Sequence, residues 1–175
     1  MMTHRAPRVC EDDVMATPGI EIERKFLLDR LPPVLAFARR EAMLQGYLAL
    51  DGDTEVRVRR TAAGAKLTIK HGGGEVRVEE ELALDERQAD ALWELTNGRR
   101  LQKNRREMRV DGVAVSVDEY AGALDGLIVA EVEFDDEDAA AAFTPPAWFG
   151  REVTEESGYK NRSLSVHGLP ADTTA

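Results

Sequence analysis

From residue 20 to residue 134, apolar and charged side chains alternate with a period of two in one run after another. That spacing puts successive side chains on opposite faces of an extended chain. It predicts strands near 20–28, 43–50, 54–61, 65–70, 75–83, 100–110, 113–120 and 127–134. The sequences "DGD" at 51–53, "AAG" at 62–64, "GGG" at 72–74 and "DG" at 111–112 are turn signals, so neighbouring strands are joined as antiparallel hairpins. Three stretches change to a helical pattern. "PPVLAFARREA" at 32–42 opens with proline, which suits a first helical turn. "DERQADALWELTNG" at 85–98 has Asp85 as a candidate N-cap, Gly98 past its end, and an apolar stripe of Ala89, Leu92, Trp93 and Leu95. "DEDAAAAF" at 136–143 stops before Pro145 and Pro146. Without internal repeats, the pattern reads as one domain over 20–166, between a poorly ordered leader at 1–19 and a flexible tail at 167–175.

The charged faces of these strands have a distinctive make-up. In "EIERKFLL", Glu21, Glu23 and Lys25 share one face, opposite Ile22, Arg24, Phe26 and Leu28. Glu55, Arg57 and Arg59 oppose Val56 and Val58, and Lys66, Thr68 and Lys70 oppose Leu67 and Ile69. Arg77, Glu79 and Glu81 share a face, as do Glu131 and Glu133, while Lys103 and Arg105 alternate with polar neighbours. Two packings satisfy this alternation. The charged faces can meet water around a sandwich core, or they can line the interior of a curled sheet whose apolar faces are covered from outside. Carboxylates two apart on one strand face repel unless a cation lies between them, and arginine recurs where lysine would serve solubility equally. Both features favour the charged interior.

Composition narrows the chemistry. An apolar content of 43% with 32% charged residues is that of a globular domain. A net charge of −10 excludes a general nucleic-acid binder, whose affinity comes from an excess of Lys and Arg over phosphate. The single cysteine, Cys10, excludes an internal disulfide framework and a cysteine-rich zinc site. No apolar run is long enough to span a membrane, and the leader lacks a secretory pattern, so the expected location is the cytoplasm. His71 beside "GGG" reads as a turn residue, and Trp93 and Trp148 as packing residues. His4 and His167 fall in the mobile ends.

A dry interior holding this many charges would cost several kcal/mol per ion unless each were paired or bound to a counter-ion. A phosphate chain together with divalent cations offsets both signs. Arg and Lys hold phosphoryl oxygens, Arg in bidentate fashion. Glutamate oxygens hold hard divalent cations, which bridge to phosphate.

The ordered motifs "EIERKFLL", "QGYL" at 45–48, "EVRVRR" at 55–60, "LTIK" at 67–70, "RVEEE" at 77–81, "VDEY" at 117–120, "VAEVEF" at 129–134 and "EVTEESGYKNRSL" at 152–164 resemble the CYTH domain, also called the triphosphate tunnel metalloenzymes. The resemblance covers 20–166. Its ending is similar to that of the small bacterial members that hydrolyse inorganic tripolyphosphate. It implies a mainly β fold: a closed eight-stranded antiparallel β-barrel around a triphosphate tunnel, with helices packed outside and a C-terminal helix plugging one mouth. It implies that Lys25, Arg57, Arg59, Lys70, Arg77, Lys103 and Arg105 clasp the phosphates, with Tyr47 helping to position them. Glu21, Glu23, Glu131 and Glu133 would hold metal, with Glu79 and Glu81 close to a second one. Asp118 matches the tunnel aspartate and Lys160 the basic residue of the plug. Catalysis would rest on Glu21, Glu23, Lys25, Lys103, Asp118 and Lys160 with Mg²⁺ or Mn²⁺ at two sites, water being activated by metal to cleave a phosphoanhydride. Other members cyclise ATP or hydrolyse thiamine triphosphate, and a polyphosphate-binding module without turnover would use the same cations. The full set of carboxylates favours turnover. The expected partner is tripolyphosphate or another triphosphate, with no nucleic acid or membrane, and the apolar strand exteriors offer surface for a homodimer.

Overall fold

The computed structural model describes residues 22–72, 78–110 and 112–172. Eight strands form one antiparallel sheet: β1 (Ile22–Leu27), β2 (Arg40–Asp51), β3 (Thr54–Thr61), β4 (Gly64–His71), β5 (Val78–Leu84), β6 (Arg100–Val110), β7 (Val113–Ala121) and β8 (Ile128–Phe134). Their order is β1-β8-β7-β6-β2-β3-β4-β5. The β2–β3 hairpin turns at Gly52, whose φ of 54° lies in the left-handed region that glycine enters without steric cost. Helix α1 (Glu86–Glu94) begins in a capping box: Asp85 accepts from the Gln88 amide at 2.7 Å, and Gln88 accepts from the Asp85 amide at 2.9 Å. Helices α2 (Glu137–Ala142) and α3 (Asn161–His167) follow the last strand. Among the described residues no helix is long and apolar enough to cross a membrane.

The sheet curls but does not close, which corrects the expected barrel. β1 and β5 stand at the two ends of the strand order, and among the described residues no pairing joins them. The free edge of β1 is used otherwise. Leu27 N donates to the Arg151 carbonyl at 2.8 Å, Gly150 N to the Leu27 carbonyl at 2.9 Å, and Val153 N to the Lys25 carbonyl at 2.8 Å. Residues 150–154 thus occupy the outward backbone groups of Lys25 and Leu27 on the β1 edge.

A second correction concerns residues 32–42. Only Pro33–Leu35 turn, as a short 3₁₀ segment, and the chain is extended again from Arg40. Arg40–Gly46 pair with Arg100–Arg106, and that ladder overrides the helical preference of "FARREA".

The apolar rows face outward and are covered over much of the sheet, while Leu44, Val78 and Leu82 stay exposed. Phe26, Val115, Val117, Ala130, Val132 and Phe134 form one core with Leu28 and Leu35. The rings of Phe143, Trp148 and Phe149 extend it, with Phe149 centred 4.8 Å from Phe26. Helix α1 packs on β3, β4 and β5. At one end the inward face also turns apolar. Leu27, Leu101, Tyr120 and Val129 continue the rows of Lys25, Lys103, Asp118 and Glu131, and pack with Tyr159 and Leu164 at α3. One face thus carries charge along most of its length and a small core at one end.

Candidate active site

The concave face encloses a pocket of about 220 Å³ lined from β1, β2, β3, β4, β5, β6 and β8 and from the start of α3. Strands from both ends of the order line the same space, and this is how far the sheet curls. Cationic side chains outnumber carboxylates in the lining, against the net negative charge of the whole chain.

A buried charge network forms its floor. Asp118 on β7 is completely buried. It takes Lys103 Nζ at 2.6 Å on one oxygen, and Arg105 in two-point fashion through Nε at 2.8 Å and Nη2 at 2.6 Å. The same Arg105 Nη2 reaches Glu131 at 2.6 Å, and Glu131 takes Lys25 Nζ at 3.0 Å. Lys25 also meets Glu23 at 2.8 Å. Burial alone would neutralise these groups, but their partners decide otherwise. Burial pulls the Lys25 ammonium down, yet Glu131 and Glu23 more than offset this and raise it. Burial pushes Glu131 up, yet Lys25, Lys103 and Arg105 hold it well below the usual carboxylate range. Lys103 goes the other way. Burial lowers it, and Arg105, which shares Asp118, adds to the fall that Asp118 resists.

The opposite wall is more open. Lys70 Nζ meets Glu79 at 2.8 Å, and Arg57 Nη2 lies 4.0 Å from the same carboxylate. Arg59 and Lys66 share Glu81 at 2.8 and 2.7 Å. Tyr47 is fully buried and accepts from Gln45 Nε2 at 2.8 Å. Burial pushes its phenol up to about 12, against the pull of Arg57, so it remains a proton donor at neutral pH. The Nε of Arg57 is buried with no hydrogen-bond partner, an uncommon state for a buried donor.

Every sequence-predicted site residue that falls within the described residues lies at this pocket. Asp118 stands behind Lys103 and Arg105 rather than in the lining. Glu21 and Arg77 lie outside the described residues. Sequence reasoning put Glu55 on the charged face without giving it a role, and missed Asn161, Arg162 and Tyr120. Glu55 shares the parity of Arg57, Tyr120 follows Asp118 by two, and Asn161 and Arg162 adjoin Lys160, so each had a signal in the residue next to it.

The carboxylates can be tested for metal. Among the described residues no three metal-ligating side chains come together. Glu23 and Glu133, however, are directly opposed across the β1–β8 ladder and both line the pocket. Like charges directly opposed are destabilising unless a cation joins them, and oxygen donors of this kind suit a hard divalent ion. The donor set therefore fits one.

The sequence matches the CYTH domain over residues 19–168, and the chain belongs to that family. It is 43% identical over 148 residues to an inorganic triphosphatase of Nitrosomonas europaea, covering 83% of this chain and 97% of that protein. It is 35% identical over 148 residues to an inorganic triphosphatase of Acetivibrio thermocellus, covering 83% and 93%. A crystal structure of an inorganic triphosphatase superposes with a TM-score of 0.68 at 39% identity, covering 86% of this chain and 97% of that one.

Proposed function

We propose that this chain is an inorganic triphosphatase, hydrolysing tripolyphosphate with a divalent cation, Mg²⁺ or Mn²⁺. The observation that carries this reading is the row of cations on the concave face, where Lys25, Arg57, Arg59, Lys70, Lys103 and Arg105 line one pocket. Phosphoryl oxygens are acceptors suited to such a row, and the relatives named above act on triphosphate.

Phosphoryl transfer asks little covalent help from protein; positioning and charge stabilisation supply most of the rate. Lys25, Lys103 and Arg105 are held in place by Glu131 and Asp118 before substrate arrives, so little reorganisation is needed as charge spreads over the phosphoryl oxygens. Arg57, Arg59 and Lys70 grip from the other wall, and Tyr47 donates between them. Glu23 and Glu133, with Glu131 beside them, are the residues that would hold a divalent cation. When bound there, the cation supplies positive charge to the phosphate oxygens and acidity to water. In the reaction, water oxygen bonds to a terminal phosphorus, the bridging P–O bond breaks, and pyrophosphate and orthophosphate leave with one proton released.

The test is phosphate release from tripolyphosphate with Mg²⁺ or Mn²⁺, beside an EDTA control. Release that stops with EDTA is expected. Tight metal-dependent binding without release would make the chain a binding module instead.

A further inference from the structure

β1 carries two pocket residues, Glu23 and Lys25. Between them stands Arg24, whose side chain points to the outer face. On one edge of the strand, the register sets Lys25 opposite Glu131 of β8. On the other edge, both backbone groups of Lys25 are held by one short segment. The Lys25 N–H donates to Thr154 Oγ1 at 3.0 Å, and the Lys25 carbonyl accepts from Val153 N at 2.8 Å. Arg24 grips the same segment from outside. Its guanidinium meets Glu152 in two-point fashion, through Nε at 2.9 Å and Nη2 at 2.7 Å. Thr154 Oγ1 donates to Glu152 Oε1 at 2.7 Å. A continuous relay thus runs from guanidinium to carboxylate to hydroxyl, and ends on the backbone amide of Lys25.

Arg24 is itself firmly placed. Its Nη1 donates to the carbonyls of Ala140 and Phe143, each at 3.0 Å, where α2 ends and carbonyls have no partner within the helix. Its guanidinium carbon lies 5.2 Å from the ring centre of Phe26 and 5.8 Å from that of Phe143. Arg24 and Thr154 hold the Glu152 carboxyl below its ordinary pKa. Glu152 is nevertheless 40% exposed, and ion pairs so open to water add little to global stability. What the relay supplies is orientation. β1 ends the strand order, so β8 fixes it along one edge only, and the relay fixes the other at the residue whose ammonium enters the pocket. A displacement of about 1 Å at such a group costs about a hundredfold in rate.

We propose that Arg24 and Glu152, acting through Thr154, are positioning residues for phosphoryl transfer, aiming the Lys25 ammonium at the substrate from outside the cavity. None of the three lines the pocket. The inference deepens the triphosphatase reading and rests on it.

The experiment measures kcat and KM for tripolyphosphate with Mg²⁺, and the melting temperature, in the wild type, Thr154→Val, Thr154→Ser, Glu152→Ala and Arg24→Lys. Thr154→Val keeps the shape and removes the hydroxyl, so kcat is expected to fall about tenfold with KM and melting temperature changing little. Thr154→Ser keeps the hydroxyl and loses the methyl, and should restore kcat. Glu152→Ala should match Thr154→Val. Arg24→Lys, which keeps the charge but lacks the two-point fork, should lose less. If Thr154 only packs, the order reverses: the serine variant suffers and the valine variant works like wild type. That result overturns the proposal, as does a kcat in Thr154→Val equal to wild type. If Glu152→Ala or Arg24→Lys fails to fold, the two Thr154 variants decide alone. A wild type that releases no phosphate from tripolyphosphate with either metal defeats the triphosphatase reading and this inference together. An active wild type whose kcat survives Thr154→Val defeats only the inference.

Discussion

Arg57 and Glu131 show what single side chains contribute to this pocket. Arg57 lines the pocket with its Nη2 4.0 Å from Glu79, and under the proposed function its guanidinium holds phosphoryl oxygens. Arg57→Ala removes that hold and a positive charge, and bonds to charged groups contribute about 1.5–3 kcal/mol. A fall in kcat/KM for tripolyphosphate of about tenfold to a hundredfold follows, read from steady-state rates. An unchanged value would remove Arg57 from the site. Glu131 acts on stability. Its carboxylate has an ordinary value of 4.5 and is held well below it in the folded chain by Lys25, Lys103 and Arg105 despite burial. A carboxyl with a depressed folded pKa stabilises fully above its unfolded value, and loses that contribution as pH falls through the folded one. Glu131→Gln, which removes the buried carboxylate shared by Lys25 and Arg105 and leaves them only Glu23 and Asp118, should cost about 3 kcal/mol at neutral pH. The gap to wild type should narrow in acid below the ordinary carboxylate value. Urea unfolding in EDTA at both pH values measures it, and a gap independent of pH would mean that charge is not what Glu131 provides. The recurrence of Arg and Glu at alternate positions made both residues readable from sequence. The lining residues Asn161 and Arg162 were harder to see, because a short helix after a loop carries no period that ties it to strands more than forty residues away.

Secondary elements divide in the same way between local and distant causes. β3 spans Thr54–Thr61, as the alternation predicts, because hairpin turns and parity are local. Residues 32–42 read as a helix on local grounds and became turn and strand, since β6 supplied a ladder that no nearby sequence announces. The expected barrel closure failed for a related reason. Residues 150–153, far along the chain, occupy the β1 edge, and an edge is claimed by whichever segment reaches it. The contact between the turn that ends α1 and the sheet is likewise invisible in sequence but specific in space. At Gly46 an added Cβ would fall 2.4 Å from Thr96 Oγ1 and 2.6 Å from Thr96 Cβ. Thr96 cannot yield easily: it is fully buried, donates to the Trp93 carbonyl at 2.7 Å and accepts from Arg100 Nε at 2.9 Å. Overpacking of this sort costs about 1–3 kcal/mol. Gly46→Ala should therefore lower the melting temperature by about 2–4 °C for each kcal/mol lost in a chain of this size. Because Gly46 lies on the outward face, kcat well below the melt should stay close to wild type. A variant as stable as wild type would mean that α1 rides loosely on the sheet.

Across the whole molecule, an acidic protein holds an anion-binding cavity. The net charge is −10, yet among the described residues cations outnumber carboxylates in the pocket lining. Composition therefore predicts the wrong partner if it is read without the fold, because the period-two alternation sorts charges by face and only the curl of the sheet gathers one face into a cavity. Gathering has a cost, since Glu23 and Glu133 are brought into direct opposition. A protein whose folded form alone brings such a pair together is stabilised by whatever ion joins them, in proportion to the logarithm of the ion's concentration above its dissociation constant. Mg²⁺ or Mn²⁺ without substrate should raise the melting temperature of the wild type, and at a hundredfold excess over the dissociation constant the gain is about 2.7 kcal/mol. Glu133→Gln should melt no lower than wild type in EDTA, because it removes a repulsion, and should lose most of the rise with metal. Glu23→Gln should also lose the rise, while melting lower in EDTA because Lys25 gives up a partner at 2.8 Å. Calorimetric scans of the three proteins with and without metal separate these effects, with no dependence on turnover. An identical metal-induced rise in wild type and Glu133→Gln would move the cation elsewhere in the pocket, leaving the repulsion of the opposed pair offset only by the Lys25 ammonium beside Glu23.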